Sequence, residues 1–263
     1  MAAMHIYTQR IPVKNIVILL IAGLLFTGCK LSPKPLDGSA RSQEVSAALV
    51  NAEHINIVPV SINGAKPPKE AFAFSIKKLK KYTTENVIVH PMLSLTLEPS
   101  QINDFIFDYA EANRTERLKP EEIAAFREAT QMLPREETTI VMIFTPVLHY
   151  NRSTASRSMR GLAFYHRPER QPFNVVVYNQ TKIDKAPVIS KNQAWKIVLT
   201  HELGHRLGVP AGRSHNDHKH CTSRECVMYA APDWQAVASV ALNGMPYDFC
   251  DLCQKELRDA KAP

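Results

Sequence analysis

The sequence predicts an α+β domain, and three observations carry that expectation. Between residues 54 and 190, short apolar, β-branched segments alternate with segments of helical spacing. Three such strands then come in a row before the last long helix, which a strictly alternating β/α chain would not show. That helix, Lys191 to Leu207, carries an apolar stripe of Trp195, Val198, Leu199, Leu203 and Leu207 and stops at Gly208, a residue suited to a helix end. Residues 54–263, roughly 210 in number, suffice for one good core and not obviously for two. No internal repeat interrupts them.

The elements follow in order. Arg10 and Lys14 precede an uncharged stretch, Asn15 to Gly28, whose core Ile16 to Phe26 is short for a membrane span and suits a signal-peptide core. It ends in Leu25-Phe26-Thr27-Gly28-Cys29, which resembles a bacterial lipobox. The resemblance implies a signal peptide over 1–28, cleavage before Cys29, lipidation of that thiol and anchoring through buried acyl chains. Lys30 after the cysteine points to the outer membrane of a Gram-negative bacterium; an ordinary signal peptide or a signal anchor is the alternative. Residues 29–53, with Pro33, Pro35, Gly38 and several serines, read as a flexible tether in which Val45 to Val50 can form a short turn of helix.

From residue 54 the domain begins. Ile55 to Val60 is a first strand, Lys69 to Tyr82 a helix, and Asn86 to Leu95 a second extended segment. Pro99 opens a helix to about Ala112, and Pro120 another to about Leu133. Thr138 to Phe144 is a strand apolar enough for burial on both faces, and Gly161–Tyr165 and Asn174–Tyr178 are two more. The formal charge of +7 falls to +5 once Arg10 and Lys14 leave with the leader. Its densest cluster, Lys77-Lys78-x-Lys80-Lys81, has no interleaved aromatics, so it reads as a solvated helix face and excludes a nucleic-acid role.

The chemistry lies at the end of the last long helix, in His201-Glu202-Leu203-Gly204-His205. Histidines four apart share one helical face, so both imidazoles reach a single Zn²⁺. Glu202 projects from the same turn, where it can take a proton from a zinc-bound water. Downstream stand His215, Asp217, His218 and His220, any of which could complete the ligand set, then Cys221, Cys226, Met228, Cys250 and Cys253.

On these residues the chain resembles the metzincin zinc metallopeptidases, and more closely their archaemetzincin branch. That branch carries HExxHxxG, a third histidine directly before a cysteine, a second cysteine five positions on, a methionine two beyond it and a late CxxC. His201, Glu202, His205, Gly208, His220, Cys221, Cys226, Met228, Cys250 and Cys253 fall on the pattern. One departure is large: the third histidine of the string normally lies six residues after the second, where this chain has Ala211. His220 lies fifteen after His205, an insertion of nine, so His215 and Asp217 stay open as rivals.

The resemblance implies a metzincin-like fold, with a twisted mixed β-sheet, an active-site helix and a small C-terminal subdomain. It implies a catalytic zinc on His201, His205 and His220, Glu202 as the base, Met228 packed beneath the imidazoles, and the Gly161–Tyr165 strand at the sheet edge beside the cleft, with a plain core strand as the alternative for that segment. It also implies a structural zinc on Cys221, Cys226, Cys250 and Cys253; disulfides are the alternative in an exported protein. The expected function is hydrolysis of peptides or proteins at the cell envelope. A zinc-binding envelope lipoprotein that holds peptides or a partner without cleaving them is the competing reading.

Overall fold

Strand β1 (Ile55–Ile62) organises the structure, because its side chains are buried on both faces. The computed structural model describes residues 47–98, 102, 136–151, 154–158, 160–164, 174–186, 189–211, 213–217, 219–229 and 246–261. After β1 come helix α1 (Lys69–Tyr82), β2 (Val87–Val89), β3 (Leu93–Leu95), β4 (Thr139–Thr145), β5 (His149–Asn151), β6 (Thr154–Ser158), β7 (Gly161–Phe164) and β8 (Asn174–Asn179). Helices α2 (Gln180–Asp184) and α3 (Lys191–Leu207) follow, then a 3₁₀ turn at Arg213–His215, β9 (Asn216–Asp217), β10 (His220–Cys221) and helix α4 (Asp251–Ala260).

The main sheet runs β2-β1-β4-β8-β7, with β3 also paired to β1. All pairings are parallel except β7 on β8, which is antiparallel. The fold is thus α+β with a mixed sheet, as the element order predicts. The second extended segment is two strands rather than one: β2 pairs with Ile55–Ile57 and β3 with Val60–Ile62. Between them His90 donates its N–H to the Ile57 carbonyl and Pro91 offers no donor, so pairing breaks there.

Alternation assigns the faces. Ile55, Ile57, Ile140, Met142, Phe144, Val176 and Tyr178 join one core, covered by α1 and α3 through Ala71, Leu79, Trp195, Leu199 and Leu203. Val58, Val60, Ile62, Val141, Ile143, Val175 and Val177 join another with Leu97, Ile102 and Leu148. Phe144 stacks on Tyr178 at 5.3 Å, and Trp195 closes on Phe144 at 6.0 Å. The fold reaches back into the segment expected to be tether: residues 47–50 are helical, and Leu49 and Val50 lie in the first core.

The lysine-rich face of α1 is not simply solvated. Lys78 and Lys81 pair with Asp248 at 2.5 and 3.0 Å, and Tyr82 donates its hydroxyl to the same carboxylate at 2.5 Å. Burial pushes the Asp248 carboxyl up, but these donors outweigh it and hold the group down at about 2. The contact ties α1 to the segment leading into the last cysteine pair. The leader, Cys29 and the two helices expected after Pro99 and Pro120 lie outside the described residues, apart from helical Ile102. No helix among the described residues is long and apolar enough to cross a membrane.

Candidate metal centres

Helix α3 owes its placement to both ends. Ser190 caps its start, accepting from the Gln193 N–H while the Gln193 side chain accepts from the Ser190 N–H. The Ser190-x-x-Gln193 spacing was readable in the sequence. Trp195 and Lys191 both reach Asp184 on α2, at 2.7 and 2.6 Å. At the far end Gly208 takes φ +81°, the left-handed conformation that a C-terminal glycine permits.

The His-Glu string is thereby held against the sheet. Its imidazoles meet that of His220, supplied by β10: ring centroids stand 4.8 Å apart for His201–His205, 5.3 Å for His201–His220 and 5.1 Å for His205–His220. One ligating nitrogen from each lies within 4.8 Å of the others. The rivals go elsewhere. His215 sits beside the cysteines, Asp217 is exposed on β9 and joins no ligand group among the described residues, and His218 lies outside them. Spacing alone could not place them, because the long loop after Gly208 can fold either way.

The three histidines fit a zinc ion on the structure's own evidence. His201 donates from Nδ1 to the Val227 carbonyl at 2.8 Å, which leaves the Nε2 lone pair facing the other rings. That Nε2 is buried and has no hydrogen-bond partner among the described residues. Burial lowers the pKa of His201; burial, with His201 and His220 as neighbours, lowers that of His205 well below the usual value. Neutral imidazoles with inward lone pairs are the form that ligates metal.

Glu202 is only 3% exposed. Burial pushes its carboxyl up to about 8, against the pull of the Arg206 guanidinium. The slot it occupies exists because β7 opens with glycine: a Cβ at Gly161 would fall 2.7 Å from both Cγ and Cδ of Glu202. β7 ends the sheet order, so the edge strand and the carboxylate are neighbours. Gly204, between the two helix histidines, does the same on another side, since a Cβ there would meet the Met228 sulfur and come within 2.8 Å of the Phe249 ring. Met228 is fully buried against that turn. Sequence reasoning placed Met228 under the imidazoles but did not foresee the roles of Gly161, Gly204 or Phe249.

The four cysteines form a second cluster. Their sulfurs all lie within 4.8 Å of one another. Cys221–Cys250 and Cys226–Cys253 stand at 3.6 and 3.7 Å, far beyond a disulfide bond of about 2.05 Å. Four thiolates at about 2.3 Å from one tetrahedral zinc would be about 3.8 Å apart, close to these distances. Backbone N–H groups of Ser223 and Cys250 point at the Cys221 and Cys226 sulfurs, at 3.4 and 3.3 Å. The hydrogen bond between Cys226 and Cys253 and the Cys250 N–H draw Cys226 down to about 6 against the effect of burial, while burial pushes Cys221 up to about 12. Thiols this close cannot all ionise without a cation between them.

The two centres share backbone. His220 and Cys221 are adjacent on β10; Val227 accepts from His201; Met228 accepts from the Cys221 N–H at 2.9 Å.

No family model matches the sequence, and no curated protein matches it. Among solved structures, the crystal structure of archaemetzincin from Methanopyrus kandleri is similar to this chain at 18% identity with a TM-score of 0.44, covering 80% of this chain and 96% of that one.

Proposed function

We propose that this protein is a zinc-dependent peptidase of the bacterial cell envelope, anchored through a lipidated Cys29. The observation that carries the catalytic part is the convergence of His201, His205 and His220 around the orphaned, buried Nε2 of His201, with Glu202 on the same helical turn. His201, His205 and His220 would hold the catalytic ion, and Cys221, Cys226, Cys250 and Cys253 a structural one. When bound, the catalytic zinc polarises the scissile carbonyl and makes water more acidic.

The chain's own residues do the rest. Glu202 accepts the proton of the attacking water and passes it to the leaving amine. Its slot against Gly161 fixes that carboxylate beside the sheet edge. An extended substrate would add to β7 as a further strand, its main chain supplying most of the affinity. Gly161→Ala should therefore force Glu202 aside and lower kcat by about 10²-fold, with zinc content unchanged. An alanine variant as fast as the parent would separate β7 from the catalytic group.

The test of the whole reading uses the zinc-loaded full chain and a mixed peptide library. Cleavage that disappears on chelation and returns with zinc is the expected result. A fully loaded protein that cleaves nothing would instead be a peptide-binding lipoprotein. Labelling with palmitate that Cys29→Ala abolishes would support the anchor, and a label that persists would overturn it.

A further inference from the structure

The insertion between Gly208 and His220 brings one more metal-ligating group into the interior. His215, on the 3₁₀ turn, is only 4% exposed. Its Nε2 stands 3.5 Å from the Cys253 sulfur and 3.5 Å from Glu256 Oε2. The second distance is long for an N–H···O hydrogen bond, which favours about 2.7–3.2 Å. Both distances suit neighbouring ligands of one tetrahedral zinc: Zn–N near 2.0–2.1 Å, Zn–S near 2.3 Å and Zn–O near 2.0–2.2 Å put N···S at about 3.5 Å and N···O at about 3.3 Å.

Three further facts agree. The ligand atoms of His215, Cys253 and Glu256 all lie within 4.8 Å of one another. Cys253 and Glu256 are three apart on α4 and so share a face, and the Glu256 carboxylate is oriented by the Ala211 N–H at 2.9 Å. The His215 ring has Nδ1 buried without a hydrogen-bond partner, so among the described residues only these two contacts, both at 3.5 Å, serve a ring that burial would otherwise penalise.

We propose that His215, Cys253 and Glu256 hold a further zinc ion, with the Cys253 thiolate bridging it to the four-cysteine site. The inference rests on the zinc reading of those cysteines. Four thiolates around one divalent ion leave a buried cluster with a net charge of about −2, and a second ion with one carboxylate brings it to about −1, which lowers the electrostatic cost of burial. Three protein ligands leave the fourth position to solvent. The ion fastens the inserted loop to α4 directly behind the cysteine cluster.

Metal content of the full chain, purified with zinc and freed of loose metal, tests this. Three zinc ions per chain are expected, with one lost in His215→Ala and one lost in Glu256→Gln. A parent count of two that both variants keep overturns the bridged ion and leaves the proposed function intact. A count of one overturns the bridged ion together with the cysteine-held zinc it rests on, and a count of none overturns the proposed function as well. Because His215→Ala could disturb folding, the unaltered chain is also loaded with ¹¹³Cd. A pair of resonances coupled through the shared sulfur is expected, and isolated resonances overturn the bridge.

Discussion

Glu202→Gln is expected to lower peptide hydrolysis by about 10²–10⁴-fold while leaving zinc content and fold unchanged. Glutamine keeps the length and shape that fill the slot against Gly161, so packing is conserved. It cannot accept a proton, so the water and the leaving amine lose their shuttle. The three imidazoles are untouched, and the metal count should match the parent. Turnover with a peptide substrate, measured beside metal content, checks both halves. A glutamine variant that cleaves like the parent would remove Glu202 from the mechanism, and one that loses zinc would make it a structural residue instead.

Cys226→Ser is expected to lower the unfolding free energy by about 4 kcal/mol or more, the size associated with loss of a structural metal. Cys226 is fully buried at the centre of the cluster and touches the Cys253 thiol and the Cys250 N–H. Its backbone precedes Val227 and Met228, which hold His201 and Cys221. Peptidase activity should therefore fall with stability, although no histidine has changed. Urea unfolding, zinc content and thiol titration together decide the matter. A serine variant that unfolds like the parent and keeps its zinc would show that the cysteines hold nothing. Four thiols that stay unreactive after chelation would point to disulfides.

What could be read in advance follows from how local each signal is. Helix α3 was legible to the residue, because an apolar stripe, a histidine pair at helical spacing and a terminal glycine all act within one turn or two. Strands β4 and β8 were legible because burial on both faces demands continuous apolar residues. His220 could be favoured over His215 only through its neighbour Cys221. The structure brings His220 and not His215 to the helix pair, a long-range outcome that spacing does not encode. The β5–β6 hairpin and the short α2 carry little apolar pattern, and neither was foreseen. Gly161 and Gly204 were invisible for another reason. A glycine required by a partner far away in sequence looks the same as one required by a turn.

Since the strand bearing His220 is hung from Met228 through Cys221, the imidazole trio has a scaffold only after the sulfur cluster has closed. Metal uptake would then be hierarchical. On the zinc reading, the first ion would fold the C-terminal segment and a later one would arm an already finished cleft, so a half-loaded molecule would be folded and silent.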